Sequence, residues 1–310
     1  MTPKAPPLDA LADAPKALIA RTLAGIETDP AAHAAVLDQA HGAVGGHVLG
    51  LTGPPGVGKS TLVQALIRRW RAQGDRVAVL AVDPTSQLSG GALLGDRTRI
   101  RTDPEDQDLF LRSLAARDRL GGVSTLTYPA MVLVRALFDR VLIETVGVGQ
   151  SETDVAHVAD TVLFCVQPAS GDALQFMKAG IMEVPDLFAV GKADLGLPAD
   201  RAVADLQGAL ALAPLPDPDW TPPVIKISAA KATGIEALTE AIAQHRAHLL
   251  RDGRLTRRRA AQAAFWWRDR IGFLFGARGL AAIPEDRFDP AHPFTSAQAV
   301  EADWTVTPAG

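Results

Sequence analysis

One segment of the sequence carries the residue types and spacing of a phosphate-binding loop. It consists of Gly53, Pro54, Pro55, Gly56, Val57, Gly58, Lys59, Ser60 and Thr61, and it fits the pattern G-x-x-x-x-G-K-[ST] at every position. Glycines let backbone N–H groups turn toward phosphate oxygens. We expect Lys59 to reach the β- and γ-phosphates of a nucleotide and Ser60 to place its hydroxyl on Mg²⁺.

The flanking residues supply the strand and the helix that such a loop requires. Residues 47–52 form a short apolar run typical of a buried parallel strand, and residues 62–67 are a good helix opening. A helix N-terminus adds its positive end to the bound anion. A glycine turn that binds nothing is the alternative, and this context argues against it.

Beyond the loop, short apolar strands alternate with helices, which predicts an α/β fold with a doubly wound, mostly parallel sheet. Strands are predicted at 47–52, 76–82, 107–112, 139–144, 160–166, 186–191 and 223–228, and helices at 59–73, 125–137, 173–182, 199–211 and 234–250. We divide the chain into an N-terminal helical arm (1–44), a P-loop domain (45–250) and a C-terminal segment (251–310). A second helix of the arm is predicted to begin at Asp29-Pro30 and to run through Leu37.

Composition excludes several classes of protein. The net charge of −4 gives no reason to expect nucleic acid or an anionic membrane as a partner. No run of about 18 apolar residues is present, so we expect no membrane span. The only cysteine, Cys165, lies in an apolar run and is expected to be an inert core residue. One cysteine allows no internal disulfide, so we expect a cytoplasmic protein.

Two loops at predicted strand ends suggest a pocket for guanine. Lys192-Ala193-Asp194 is similar to the [N/T]-K-x-D motif, in which an Asp accepts hydrogen bonds from the guanine N1–H and amine. Adenine offers no such donor pair. Downstream, Ser228, Ala229 and Ala230 match a loop whose backbone N–H groups contact the guanine carbonyl. Gly191 stands where the motif carries Asn or Thr. A surface Lys–Asp pair is the alternative interpretation.

Acidic residues at or after strand ends are candidates for a magnesium site. Mg²⁺ prefers oxygen ligands and keeps several waters. Besides Ser60, the candidates are Asp83, Asp96 and Glu144, bound directly or through water. For Asp96 a helix-capping role is the alternative.

The C-terminal segment differs in composition from the rest of the chain. A basic run (Arg251, Arg254, Arg257, Arg258 and Arg259) is interpreted as a solvated helix start. An apolar stripe follows at helical spacing (Ala260, Ala264, Trp267, Ile271 and Leu274). We expect this stripe to pack against a second copy of the chain, with docking on its own domain as the alternative. Residues 284–310 contain four prolines and are expected to be irregular.

Together, residues 53–61, 82–84, 89–99, 111–122, 144–152 and 180–183 resemble the MeaB/ArgK/MMAA GTPases of the SIMIBI class of P-loop proteins. The run E-T-V-G-V-G-Q-S-E at 144–152 is highly specific, and the resemblance covers roughly residues 15–250. It implies a homodimeric GTP hydrolase that uses GTP/GDP and Mg²⁺. It further implies a chaperone and gatekeeper for an adenosylcobalamin-dependent acyl-CoA mutase of the methylmalonyl-CoA mutase type.

The resemblance also implies roles for individual residues. It suggests catalytic roles for Lys59, Asp96, Glu144 and Gln150, and a partner-facing surface that includes Gln150, Asp172, Gln175 and Lys178. The switches would be Asp83–Arg101, Gly147–Asp160 and Gln167–Lys178. The chain departs from the family at Gly191, at Phe176 and in a short link at 136–139. A nucleotide-binding regulator with little hydrolysis and a small-molecule kinase are the alternative functions.

Overall fold

A seven-stranded parallel sheet is the centre of the protein. The computed structural model describes residues 5–84, 103, 105–116, 126–145, 151–168, 183–215 and 217–306, with backbone alone for 83–84, 115–116, 151–152 and 305–306. The strands are β1 (His47–Thr52), β2 (Val77–Pro84), β3 (Leu109–Ala116), β4 (Arg140–Thr145), β5 (Thr161–Val166), β6 (Leu187–Val190) and β7 (Val224–Lys226). Their order in space is β3-β2-β4-β1-β5-β6-β7, and every pairing is parallel. The predicted fold class and all seven predicted strands are confirmed.

Helices cover both faces of the sheet. Those of the described residues are α1 (Leu8–Ala12), α2 (Lys16–Thr28), α3 (Pro30–Gly42), α4 (Lys59–Ala72), α5 (Thr127–Leu137), α6 (Ser151–Asp154), α7 (Leu197–Leu210), α8 (Ile235–Leu249), α9 (Arg254–Ala282) and α10 (Pro293–Val306). Asp29 caps α3 by accepting from Ala32 N at 3.1 Å, as the Asp29-Pro30 signal predicts. The helix continues past Leu37 to Gly42. The predicted helix at 173–182 lies outside the described residues. No helix in the described ranges has the length and apolarity needed to cross a bilayer.

Alternation along the central strand divides the core between the two faces of the sheet. Val48 packs with the N-terminal and C-terminal helices, whereas Leu49 and Leu51 pack with α4 and α8. The first cluster also contains Trp267 and Ile271, which are 4% and 0% exposed. The expectation that these two side chains pack against a second copy is therefore wrong, because their own chain buries them. A single stripe shows that a helix face is buried but does not identify what covers it.

The end of the chain is more regular than the prolines suggest. Helix α9 is broken at Gly276 (φ 69°, ψ 178°), and α10 follows at Pro293–Val306. The expectation of an irregular tail is wrong for residues 293–306, since a proline in a first helical turn does not stop the helix. Asp38 of α3 caps α10 by accepting from Phe294 N at 2.9 Å and Thr295 N at 3.0 Å.

Two arginines of the basic run at the start of α9 form ion pairs with aspartates that directly precede strands of the sheet. Arg259 donates to both carboxylate oxygens of Asp160 at 2.9 and 2.7 Å, and Asp160 is 1% exposed. Arg258 donates to Asp186 at 3.1 and 2.9 Å. The interpretation of this run as a solvated helix start is wrong for these two arginines. A buried carboxylate requires such a partner, and the sequence separation hides the pairing.

Candidate functional site

The loop between β1 and α4 has a backbone that requires glycine at several positions. Gly53 (φ 132°) and Gly58 (φ 102°) lie in the left-handed region that side-chain-bearing residues avoid. A Cβ on Gly53 would also lie 2.3 Å from the carbonyl oxygen of Cys165 on β5. Gly58 directly precedes α4, so the loop enters the helix N-terminus, as a phosphate site requires.

Three side chains meet at the end of this loop. Lys59 is buried (7% exposed), and its ammonium donates to the carbonyl oxygens of Gly53 at 2.7 Å and Pro54 at 3.1 Å. The Ser60 hydroxyl donates to Oε1 of Glu144 at 2.8 Å. Glu144 lies on β4 between Leu51 of β1 and Ala81 of β2 in register. A cation, a hydroxyl and a carboxylate therefore converge where the phosphates of a nucleotide would lie.

A cavity of about 330 Å³ opens beside the loop at the carboxyl ends of β5, β6 and β7. Its lining includes every residue predicted for the base pocket: Lys192, Asp194, Ser228, Ala229 and Ala230. Thr61 of the predicted phosphate loop also lines the cavity, and sequence reasoning missed Leu62, Cys165, Ala189 and Ile227 as further lining residues. Cys165 is a free, buried thiol whose pKa burial raises to about 12, so the prediction of an inert core residue is confirmed. Its place at the end of β5 is the signal that could have assigned it to the pocket wall.

The acceptor group of this cavity is the carboxylate of Asp194. A hydrogen bond with the Ser228 side chain is the largest cause that lowers the pKa of Asp194, followed by its own backbone N–H and the charges of Lys231 and Lys192. Ser228 is 2% exposed, and paired backbone bonds with Thr233 of 3.0 and 3.1 Å hold its loop. At neutral pH the Asp194 side chain is therefore an oriented anion that can only accept hydrogen bonds.

The chain approaches this carboxylate through an unusual backbone. Lys192 has φ 52° and ψ 42°, a left-handed conformation that is uncommon for a residue with a side chain. The preceding Gly191 donates its N–H to Val166 O at 2.8 Å. A Cβ at position 191 would lie 3.3 Å from Val57 O of the phosphate loop and 3.5 Å from Val166 O. Gly191 is therefore packed closely between the loop and β5, and its φ is not in the left-handed region.

Several predicted site residues lie outside what the structure describes. Asp83 is the second-last residue of β2, at the same edge of the sheet as Glu144, but only its backbone is described. Asp96, Gln150, Asp172, Gln175 and Lys178 fall in the ranges outside the described residues, as do Phe176 and most of the first and third predicted switches, whereas residues 151–160 of the second are described. Their roles stay predictions.

The family model and the relatives that match this chain point to the same family. A family model described as methylmalonyl Co-A mutase-associated GTPase MeaB matches residues 19–272. A protein of Pyrococcus horikoshii named as a GTPase is 40% identical over 245 residues, which is 78% of this chain and 77% of that protein. The mouse methylmalonic aciduria type A homolog, mitochondrial, is 41% identical over 221 residues, 71% of this chain and 53% of that protein. The chain thus spans about half the length of the mouse relative.

A solved structure agrees with these relatives over nearly the whole chain. The crystal structure of a LAO/AO transport system kinase has a TM-score of 0.68 at 26% identity, with 97% of this chain and 96% of that chain covered. The region matched by the family model contains the phosphate loop, the base cavity and the seven strands that the structure describes. The chain belongs to the MeaB family and is a P-loop GTPase.

Proposed function

We propose that this GTPase is a chaperone and gatekeeper for an adenosylcobalamin-dependent acyl-CoA mutase of the methylmalonyl-CoA mutase type. The observation that carries the proposal is the family match over residues 19–272, whose description names association with that mutase. In this proposal, GTP binding and hydrolysis control when the cofactor is loaded into the mutase and protect the mutase afterwards.

The site supports a nucleotide held by the phosphate loop. Lys59 would neutralise charge on the β- and γ-phosphates, because its ammonium already lies within the loop. The contact of Ser60 with Glu144 brings together a hydroxyl and a carboxylate, the oxygen donors that Mg²⁺ prefers, so these residues fit the ion. A bound Mg²⁺ would supply charge stabilisation at the phosphates. We propose Asp83 and Asp96 as further acids toward that ion, and Gln150 as a residue of the hydrolytic step.

Guanine is the base that the cavity accommodates best. The ionised Asp194 presents two acceptor oxygens, and guanine offers the N1–H and amine donors that match them. Adenine would leave this carboxylate without those partners. Backbone N–H groups of Ala229 and Ala230 are proposed as donors to the guanine carbonyl, because the Ser228 N–H already donates to Thr233 O at 3.0 Å.

The contacts with other proteins are proposals that rest on the family. We propose Gln150, Asp172, Gln175 and Lys178 as the surface that faces the mutase. A homodimer is also proposed. Within the described part of α9, Phe273 and Leu274 are 51% and 39% exposed and remain accessible to a second copy.

The experiment is a titration of the GTPase with a purified adenosylcobalamin-dependent mutase while phosphate release is followed. The mutase is expected to accelerate hydrolysis, because binding selects an ordered switch conformation. Lys178→Ala should reduce that acceleration and leave the rate of the isolated protein unchanged. Lys226→Ala, at an exposed lysine on β7, is the matched control and should behave as the wild type. Absence of acceleration by any such mutase of the source organism would contradict the proposal.

The same assay separates the two alternative functions. A small-molecule kinase would need an acceptor, so phosphate release without any acceptor argues against it. A nucleotide-binding regulator with little hydrolysis would show no turnover even with the mutase bound.

A further inference from the structure

The segment Val155–Asp160, between α6 and β5, lies between the strand of the phosphate loop and helix α9. On the strand side it approaches β1 so closely that a Cβ on Gly50 would lie 2.4 Å from Val155 Cγ2 and 2.8 Å from Ala159 Cβ. Gly50 is three residues before Gly53 of the loop. The absence of a side chain at position 50 is what allows this segment to rest directly on β1.

On the other side, α9 holds the same segment through a side chain that sequence analysis did not single out. Gln262 is 4% exposed, and its amide nitrogen donates to the carbonyl oxygens of Ala156 at 3.0 Å and Ala159 at 2.8 Å. Ala156 belongs to a short 3-10 turn (Val155–His157), at whose end backbone acceptors have no partner within the helix, and Ala159 follows that turn. One amide group therefore ties two points of the segment to α9.

Two further residues on the same face of α9 strengthen the contact. Arg259, three residues earlier, donates to Asp160, which also accepts from Val48 N of β1 at 3.0 Å. Phe265, three residues later, stacks on His157 with ring centroids 3.5 Å apart and an interplanar angle of 4°. Positions 259, 262 and 265 share one helix face by their spacing. Helix α9 is thus connected to β1 at Val48 and Gly50, on the strand that ends in the phosphate loop.

We propose that Gln262 is a positioning residue that couples helix α9 to the nucleotide site through the segment Val155–Asp160. Nucleotide binding fixes the loop after β1 and with it the surface on which this segment rests. The first turns of α9 then become harder to release. Because coupling between two sites is reciprocal, release of α9 must weaken nucleotide binding by the same factor. The coupling needs no partner protein, so it stands or falls independently of the mutase.

The test compares amide hydrogen exchange of α9 with nucleotide affinity in the same variants. In the wild type, saturation with GDP or a non-hydrolysable GTP analogue should slow exchange of residues 259–266 by about five-fold or more, the lower end of usual couplings. Gln262→Met keeps the volume of the side chain and removes both hydrogen bonds. It should abolish this slowing and weaken nucleotide affinity by the same factor.

Two controls separate coupling from general loosening of the C-terminal segment. Asp38→Asn weakens the cap of α10 without contact to Val155–Asp160, and it should leave nucleotide affinity unchanged. Gln244→Met makes the same chemical change at an exposed position of α8 and should have no effect. If Gln262→Met fails to fold, Phe265→Ala serves instead, because Phe265 is 40% exposed and its loss removes only the stacking on His157.

Each outcome decides the proposal. The coupling is supported if Gln262→Met loses the slowing of α9 exchange and loses nucleotide affinity by the same factor. The proposal is overturned if saturation of the wild type with nucleotide leaves the hydrogen exchange of α9 unchanged. It is also overturned by a Gln262→Met protein in which α9 exchanges faster while nucleotide binds with wild-type affinity, since Gln262 would then be merely structural. The same result for Phe265→Ala would show that the contact of α9 with the segment Val155–Asp160 carries no coupling.

Discussion

The substitution Gly191→Asn tests the base pocket at the position where the chain departs from its family. An Asn amide can donate a hydrogen bond to guanine N7, which glycine cannot do with a side chain. N7 is an acceptor in both guanine and adenine, so the missing donor should weaken both nucleotides without reversing the preference. In the proposed pocket the preference depends on Asp194, whose carboxylate matches the N1–H and amine donors that only guanine offers.

A side chain at position 191 also has a packing cost, and the structure indicates its size. Position 191 does not have a left-handed backbone, so a side chain brings no φ strain there. Its Cβ would lie 3.3 Å from Val57 O, a few tenths of an ångström closer than an ordinary contact, so the phosphate loop has to shift slightly. A small angular adjustment of this kind costs about 1 kcal/mol or less. One net hydrogen bond contributes about 0.5–1.5 kcal/mol, or roughly a two- to twelve-fold change in affinity.

Calorimetric titration with GDP, GTP and ATP separates these two effects when Gly191→Ala is included. The alanine variant carries the Cβ contact without the amide, so it should bind GDP slightly more weakly than the wild type. Gly191→Asn should bind GDP about two- to twelve-fold more tightly than Gly191→Ala. An Asn variant that binds no better than the Ala variant would refute the hydrogen-bond argument. Equal binding of ATP and GTP by the wild type would refute the assignment of Lys192 and Asp194 to guanine.

Three further predictions concern other parts of the molecule. Lys59→Ala should abolish GTP hydrolysis and strongly weaken GTP binding, measured by phosphate release and calorimetry, and turnover at the wild-type rate would contradict the role of Lys59. Burial lowers the pKa of His47 to about 3 and that of His245 to about 4. The unfolded chain therefore binds more protons than the folded chain below pH 6.5. As the pH is lowered from 6 to 4, the free energy of unfolding should fall by about 1.4 kcal/mol per pH unit for each histidine. A denaturant series that shows no such slope would contradict their burial as neutral rings. Truncation after Gly253 should yield an unfolded or aggregated protein by circular dichroism and light scattering, because it removes Trp267 and Ile271 from the core and the arginine partner from Asp160. A folded truncated monomer would show that α9 is dispensable.

The sequence is sufficient to predict the sheet and the grouping of the residues that line the cavity, because both follow from local signals. Each strand is an apolar run bounded by polar or glycine-rich residues, and parallel strands bring their carboxyl ends to one edge. For that reason Lys192, Asp194 and Ser228 could be placed together although the last two are far apart in the chain. Glu144 and Ser60 were placed at one site for the same reason, and they are in contact.

The errors concern contacts between distant segments. The arginine run looks solvated from the sequence because its partners, the buried Asp160 and the half-buried Asp186, precede it by about seventy residues or more. The cap that Asp38 provides for α10 joins residues more than 250 positions apart, and the four prolines of the segment 284–310 conceal the helix in the sequence. Gln262 carries no local signal at all, because its importance comes from two backbone carbonyls on another element.

The central claim is that GTP hydrolysis controls loading of a mutase, and cofactor transfer tests it most directly. Adenosylcobalamin incorporation into the apo-mutase is followed by cobalamin absorbance in the presence of this protein with GTP, GDP, a non-hydrolysable GTP analogue or no nucleotide. The account predicts that loading proceeds with GTP and is held back by the non-hydrolysable analogue, and that Lys59→Ala removes the difference. Loading at the same rate under all four conditions would contradict it.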